Sequence, residues 1–191
     1  GISGYLVALD GMAIPQPRLI SELVLAPAQR ADLIVDITGP VEFDMPTRQR
    51  PYRLADLAVI DTNSDRRAGP IVALSPPNLP TPAKHPSQHL TLKMMGGAMG
   101  GRHGGDNIWA FNNTSDLQTN PFGSFKSGET VQITFANDTS FPHAIHLHGH
   151  HFYEVDGNGS LGDLRDTTLV NAGASRDIIC VFDNSGRWLL H

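Results

Sequence analysis

Phe141-Pro-His-Ala-Ile-His-Leu-His-Gly-His-His-Phe152 contains five of the nine histidines of the chain, interleaved with apolar residues. Such alternation is typical of a β-strand, in which successive side chains point to opposite faces. Three histidines then share one face of the strand: His146, His148 and His150. His143 points to the other face together with Ile145 and Leu147. Because neutral imidazole binds copper, zinc, iron and nickel ions, one strand can serve two metal centres, one on each face.

Two other kinds of site and a purely structural role are alternatives for these histidines. Binuclear zinc hydrolases use the spacing His-x-His-x-Asp-His, but His150 stands here at the position of the carboxylate. His148-x-His150-x3-Glu154 imitates the first motif of the cupin barrels, whose second motif and flanking glycine are missing from the chain. A single histidine is usually satisfied by ordinary hydrogen bonds, but five within nine residues far exceeds an even scatter and argues against that role.

The rest of the chain is rich in turn-forming residues, with 19 glycines and 14 prolines among 191 residues. Charged residues make up 17% of the chain, below the roughly 25% of an average protein. This composition predicts an all-β fold and argues against a helical bundle. Apolar or alternating runs predict short strands at residues 5–9, 22–26, 32–37, 89–93, 131–135 and 177–182.

Prolines are concentrated in one segment, since six of the fourteen fall in residues 63–87. Proline lacks the backbone N–H that a central strand needs, so this segment is predicted to be an extended linker. The sequence therefore predicts two β portions, residues 1–62 and residues 88–191, joined by a proline-rich linker at residues 63–87.

Charge and hydropathy exclude several classes of function. The formal net charge is −5 and no basic cluster occurs, which argues against nucleic-acid binding. No stretch approaches 18 consecutive apolar residues, so no membrane span is predicted. The single cysteine, Cys180, lies in an apolar run and is interpreted as a small buried hydrophobic residue rather than a metal ligand.

His143-Ala-Ile-His146-Leu-His148-Gly-His150 resembles the third copper motif of the multicopper oxidases, usually His-Pro-x-His-Leu-His-Gly-His, with alanine in the proline position. Four further segments resemble that family in the same order along the chain: Pro27-Ala-Gln-Arg-Ala-Asp32, Trp109-Ala-Phe-Asn112, Arg165-Asp-Thr-Thr168 and Asp183-Asn-Ser-Gly-Arg-Trp-Leu-Leu-His191. The resemblance covers nearly the whole chain.

The resemblance implies a fold and a set of metal ligands. The fold is that of cupredoxin-like Greek-key β-sandwiches: residues 1–62 would end a copper-free middle domain, and residues 88–191 would form most of the last domain. His143 corresponds to a ligand of the type 1 (blue) copper, His146 to a ligand of the type 2 copper, and His148 and His191 to ligands of the type 3 pair. His150 matches a position that usually binds no metal. The remaining histidines have no counterpart: His85, His89, His103 and His151.

The resemblance also implies an activity of a laccase-like parent enzyme of the three-domain type. That enzyme would take single electrons from a phenolic, amine or metal-ion substrate and reduce dioxygen to water. Within this chain no catalytic residue is assigned, and the chain alone is expected to be an inactive fragment, because the copper-binding cysteine and the first domain are absent. The expected location is periplasmic or secreted. The alternative is a cupredoxin-like electron-transfer or copper-binding module without oxidase activity, against which His146 and His148 argue.

A methionine-bearing segment leaves two interpretations open. Met94, Met95 and Met99 lie close to His103 in a glycine-rich loop. Thioethers are soft ligands that could handle copper ions, or the methionines could pack on the sandwich.

Overall fold

The computed structural model describes residues 2–20, 22–60, 69–96 and 109–191, which contain strands and turns without a helix. The all-β prediction is therefore confirmed for this part of the chain. The strands are β1 (Ile2–Leu9), β2 (Met12–Leu19), β3 (Ala31–Ile37), β4 (Val41–Met45), β5 (Tyr52–Leu57), β6 (Gln88–Met95), β7 (Ala110–Phe111), β8 (Glu129–Asn137), β9 (His143–His146), β10 (Phe152–Val155), β11 (Leu161–Arg165), β12 (Thr167–Val170) and β13 (Ser175–Phe182).

The N-terminal portion consists of a three-stranded antiparallel sheet and a separate hairpin. The sheet has the order β2-β1-β3, and the hairpin pairs β4 with β5. Its buried apolar core is small and is formed by Leu6, Leu9 and Ile14. Large apolar side chains of β3, β4 and β5 remain exposed: Leu33, Ile34, Ile37, Phe43, Met45, Tyr52, Leu54 and Leu57. The described residues therefore leave these apolar side chains of the N-terminal portion uncovered.

The C-terminal portion contains the main core. Its large sheet has the order β11-β10-β13-β8-β6-β7, in which β6 and β8 run parallel and the other neighbours run antiparallel. β8 is central, and its alternate residues Val131, Ile133 and Phe135 are at most 1% exposed. This period of two is what a strand with one face on the core requires. β9 and β12 form a second, two-stranded layer that buries Ile145 against the same core.

Two sequence predictions about elements have different outcomes. The described part of the proline-rich segment, residues 69–87, forms no strand before β6 begins at Gln88. The division into residues 1–62, 63–87 and 88–191 stays a prediction. The predicted strand at residues 22–26 is wrong, because this segment has no pairing partner among the described residues and runs into a turn in which Gln29 N donates to Ala26 O.

Candidate metal centre

The histidine strand is short and is anchored by a neighbouring strand. β9 begins at His143, ends at His146 and pairs antiparallel with β12, so that His143 lies opposite Val170 and His146 lies opposite Thr167. Ile145 and Leu147 are 1% and 4% exposed and pack in the C-terminal core. Their burial orients the flanking histidines, because a one-residue slip would turn the apolar side chains out of the core.

His143 lies in an environment of its own. Its ring packs against Trp109 at a centroid distance of 4.1 Å, and its Nε2 is 2.7 Å from Thr139 Oγ1. Burial lowers the pKa of His143, which favours the neutral imidazole. A neutral ring nitrogen is the form that binds a transition metal.

Three other imidazoles converge on a different spot. The ring centroids of His146 and His148 are 4.6 Å apart, and those of His146 and His191 are 5.7 Å apart. The Nε2 atoms of His148 and His191 are 2.9 Å apart. Partial burial, together with the neighbouring rings of His148 and His146, lowers the pKa of His191, because protonation would place a cation beside the other imidazoles.

The C-terminal segment brings His191 to this cluster by pairing with β9 and the residues after it. His146 N donates to His191 O at 2.7 Å, and His191 N donates to His146 O at 3.0 Å. His148 N donates to Leu189 O at 2.9 Å, and Leu147 forms a bridge with Leu190. Backbone pairing therefore joins two parts of the chain that are more than forty residues apart.

Hydrogen bonding fixes the tautomer of His146. Its Nδ1 is 3.0 Å from the carbonyl oxygen of Asp166 and 2.9 Å from Thr167 Oγ1. A carbonyl oxygen only accepts, so Nδ1 carries the hydrogen and Nε2 keeps its lone pair. Metal-binding histidines generally have this arrangement, with the second ring nitrogen donating to a protein oxygen.

The three imidazoles do not form a complete set of metal ligands by themselves. Among the residues that the structure describes, no group of three or more His, Cys, Asp or Glu side chains is arranged to hold a metal ion. The geometry instead gives two facing nitrogens, on His148 and His191, and one separate nitrogen on His146. These donors fit a copper centre that takes its other ligands from outside this set.

Comparison with known proteins identifies the family. The family model for multicopper oxidases matches residues 77–191. The chain belongs to the multicopper oxidase family.

One solved structure and one further relative of this multicopper oxidase chain are more than 30% identical to it in sequence. The structure of Lac15 from a marine microbial metagenome is 45% identical with a TM-score of 0.82, and the match covers all of this chain and 46% of that one. The multicopper oxidase MmcO of Mycobacterium tuberculosis is 35% identical over 83 residues, which are 44% of this chain and 16% of that protein. The chain thus spans less than half the length of the relatives that it matches.

A third match bears on the fold alone. The multi-copper oxidase from Pseudomonas thermotolerans is 24% identical with a TM-score of 0.78, covering all of this chain and 46% of that one. Together with Lac15, it confirms the predicted cupredoxin-like class. The family uses copper, and no helix in the described part of this multicopper oxidase chain is long and apolar enough to span a membrane.

The prediction that His150 shares a face with His146 and His148 is wrong. β9 ends at His146, and the chain turns at His148 and Gly149, where Gly149 has a φ of +70°. His150 is consequently 5% exposed, with its ring 4.9 Å from that of Phe182. The expectation that this residue of the multicopper oxidase motif binds no metal stays a prediction.

The other candidate residues lie outside the cluster. Cys180 is fully buried, and burial raises the pKa of its thiol to about 12, which fits a core residue of this multicopper oxidase chain rather than a metal-binding thiolate. Met94 is 0% exposed and belongs to the core, and His85 and His89 are exposed. Met99 and His103 lie outside the described residues.

Sequence reasoning missed the residues that hold the rings in place. Thr139 and Trp109 contact His143, and Asp166 and Thr167 contact His146. Signals for Trp109 and for the second pair were present in Trp109-Ala-Phe-Asn112 and Arg165-Asp-Thr-Thr168, which resemble family segments. The sequence alone could not show that the second of these segments faces His146.

Proposed function

We propose that this chain is part of a longer copper-dependent oxidase that takes single electrons from a phenolic, amine or metal-ion substrate and reduces dioxygen to water. The observation that carries the proposal is the division of four histidines between two environments around β9. His143 packs against Trp109, whereas His146, His148 and His191 converge on one another. An electron carrier with one copper needs only the first environment.

The four histidines have assigned roles in this proposal. His143 would be a ligand of the type 1 copper, His146 of the type 2 copper, and His148 and His191 of the type 3 pair. The Nε2 atoms of His148 and His191 lie 2.9 Å apart, a distance at which one neutral ring donates a hydrogen bond to the other, and this proximity supports their assignment to one pair of metal ions. The remaining ligands would come from a first domain of the parent protein and from a cysteine beyond these residues.

Bound copper would supply the one-electron steps by which four electrons and four protons convert one dioxygen into two waters. The chain contributes the orientation of its rings, and the lowered pKa values of His143 and His191 favour their neutral forms. The carbonyl of Asp166 and the hydroxyl of Thr167 hold the Nδ1 hydrogen of His146, so that its Nε2 is free for a metal. β9 itself supports both environments, since its backbone joins His143 to His146 across two residues. We further propose export to the periplasm or the cell exterior, as expected for this family.

The proposal is tested by replacing single histidines in the longer protein that carries this chain. His143→Ala should abolish the intense blue absorption and leave the other coppers bound. His146→Ala should keep the blue absorption, which substrate still bleaches, but dioxygen should no longer restore it. His89→Ala is the matched control, because that histidine is exposed and has no assigned role.

Copper content, absorption and dioxygen uptake give the readout. If His143→Ala retained the blue absorption while His146→Ala lost it, the ligand assignment would be wrong. If the unaltered protein bound copper and transferred electrons without consuming dioxygen, it would be an electron-transfer module instead.

A further inference from the structure

Three turns that are far apart in sequence meet beside His146. The first contains Asp10, between β1 and β2, and the second contains Arg30, just before β3. The third contains Asp166, between β11 and β12. Hydrogen bonds from the first two turns to the third join residues that are 136 to 157 positions apart in the sequence. The N-terminal sheet therefore contacts the turn that holds His146, a proposed metal ligand.

Asp10 connects these turns through backbone hydrogen bonds. Its side chain is buried, with the residue 1% exposed. Oδ1 accepts from Arg30 N at 2.8 Å, and Oδ2 accepts from Asp166 N at 3.2 Å and from Thr167 N at 3.4 Å. A buried carboxylate that satisfies three N–H groups fixes the relative positions of all three.

Arg30 adds a direct ionic contact to the same turn. Its Nη1 and Nη2 donate to Oδ1 and Oδ2 of Asp166 at 3.2 Å and 2.6 Å. This two-pronged geometry sets the orientation of the carboxylate as well as its distance. Burial would raise the pKa of Asp166, but the hydrogen bonds from Arg30 and Thr167 outweigh burial and hold the pKa below its usual value.

The turn transmits this orientation to the imidazole. Thr167 Oγ1 donates to Asp166 Oδ1 at 2.7 Å, which leaves its oxygen free to accept from His146 Nδ1. The carbonyl of Asp166 is the second acceptor for that nitrogen. Asp166 and Thr167 are 8% and 0% exposed, so water does not readily replace these contacts.

We propose that Asp10 and Arg30 are positioning residues for His146, acting through the Asp166–Thr167 turn. The inference rests on the proposed function for the identity of the metal. The orientation of the ring itself rests only on the contacts of this chain. Asp10 and Arg30 belong to the N-terminal sheet, so this sheet has a role at the metal site although it contributes no ligand.

The experiment compares two arginines that both link the N-terminal sheet to the region around β11. Arg30→Met removes the contact with Asp166, and Arg18→Met removes the 2.7 Å ion pair with Asp163. The two arginine side chains are similarly exposed, at 50% and 52%, but only Arg30 touches the turn that holds His146. Arg18→Met therefore measures the effect of losing an ion pair between the N-terminal sheet and β11 that does not involve this turn. Arg30→Lys, which keeps the charge, should restore part of the wild-type behaviour.

Two measurements in the longer protein give the result. In metal-free protein labelled with ¹⁵N-histidine, long-range proton–nitrogen correlation reports the tautomer of His146. We expect a single Nδ1–H tautomer in the wild type and in Arg18→Met, and a mixture in Arg30→Met. In protein titrated with copper(II), Arg30→Met should weaken the type 2 copper about 10-fold, as expected when an outer contact of a ligand is lost. The blue absorption should remain.

The positioning role and the ligand assignment can each be overturned by a different result. A single Nδ1–H tautomer and unchanged type 2 copper in Arg30→Met would overturn the positioning role, as would equal effects in Arg18→Met. If His146→Ala kept the type 2 signal, the proposed ligand assignment would fail, while the tautomer measurement would still test the positioning. Should Arg30→Met not fold, Asp10→Asn decides, because its amide faces N–H donors and must disturb the turn; unchanged behaviour there would also overturn the proposal.

Discussion

Replacing Gly149 by alanine tests how a single turn places both His150 and His191. Gly149 has a φ of +70°, and a Cβ built there would lie 2.4 Å from Trp188 Cδ2 and 2.6 Å from Cε2 and Cε3. The left-handed conformation costs an L-residue about 1–2 kcal/mol. Overpacking against the ring adds about 1–3 kcal/mol. We therefore expect Gly149→Ala to lower the free energy of unfolding by about 2–5 kcal/mol.

The ring of Trp188 cannot move without affecting the histidine cluster. Trp188 Nε1 donates to Asn184 O at 2.8 Å, and Asn184 Nδ2 donates to Gly149 O at 3.1 Å. The same segment continues to Leu189, which accepts from His148 N, and to His191. Displacement of Trp188 should therefore also weaken copper binding at the proposed His148–His191 pair, in addition to lowering stability.

Gly173→Ala is the matched control for the clash. Gly173 has a φ of +69°, but a Cβ there would meet nothing within 4 Å. It should therefore show the backbone cost alone, about 1–2 kcal/mol. Urea unfolding of both variants and a copper(II) titration give the comparison. Equal losses of stability in the two variants, with copper binding unchanged, would refute the reasoning about Trp188.

Three further predictions concern single residues away from the cluster. Ala28 has a φ of +68°, so Ala28→Gly should raise the unfolding free energy by about 0.5–1 kcal/mol, and an unchanged or lower melting temperature would contradict this. Burial raises the pKa of the Cys180 thiol from about 9 to about 12, so the contribution of the protonated thiol to stability is complete below pH 9 and is lost as the pH rises toward 12. Rapid labelling of Cys180 by a thiol reagent at about pH 8 without denaturant would contradict a buried, protonated thiol. Asn137 Nδ2 donates to the carbonyl oxygens of Phe141, Val170 and Asn171, so Asn137→Ala should cost about 2–4 kcal/mol in urea unfolding. A loss below about 1 kcal/mol would show that water replaces these bonds.

The strands that the sequence predicts correctly have a buried face of their own. Residues 131–135 and 177–182 fall within β8 and β13, whose inward residues include Ile133 and Ile178 at 1% and 0% exposure. In such strands the apolar pattern and the tertiary packing agree, so the local signal suffices. Residues 22–26 show the opposite case: Val24 and Leu25 are apolar yet 66% and 46% exposed, and no strand in the described part of the chain pairs with them. An apolar run alone does not supply a pairing partner.

The division of the histidines between two faces could be predicted for the same local reason, and its failure at His150 has a local cause. Alternation places His143 and His146 on opposite sides of β9 as long as the strand continues. Gly149 ends that regularity, because its positive φ turns the chain and sends His150 into the core. A glycine between two histidines was a visible sign of a turn in the sequence.

The orientation of each ring depends on contacts with residues that lie at very different distances along the sequence. The hydrogen-bond partner of His143 is Thr139, four residues away, whereas His146 is held by a turn 20 residues away and His148 faces a residue 43 positions away. The turn that holds His146 contains Asp166, whose backbone N–H donates to Asp10, 156 residues away. Strand alternation has a range of a few residues, so it can say which face a ligand occupies but not what aims its nitrogen. Three of the four proposed ligands thus lie within one short stretch of the chain, whereas the approach of His191 and the alignment of all four rings depend on the whole folded chain.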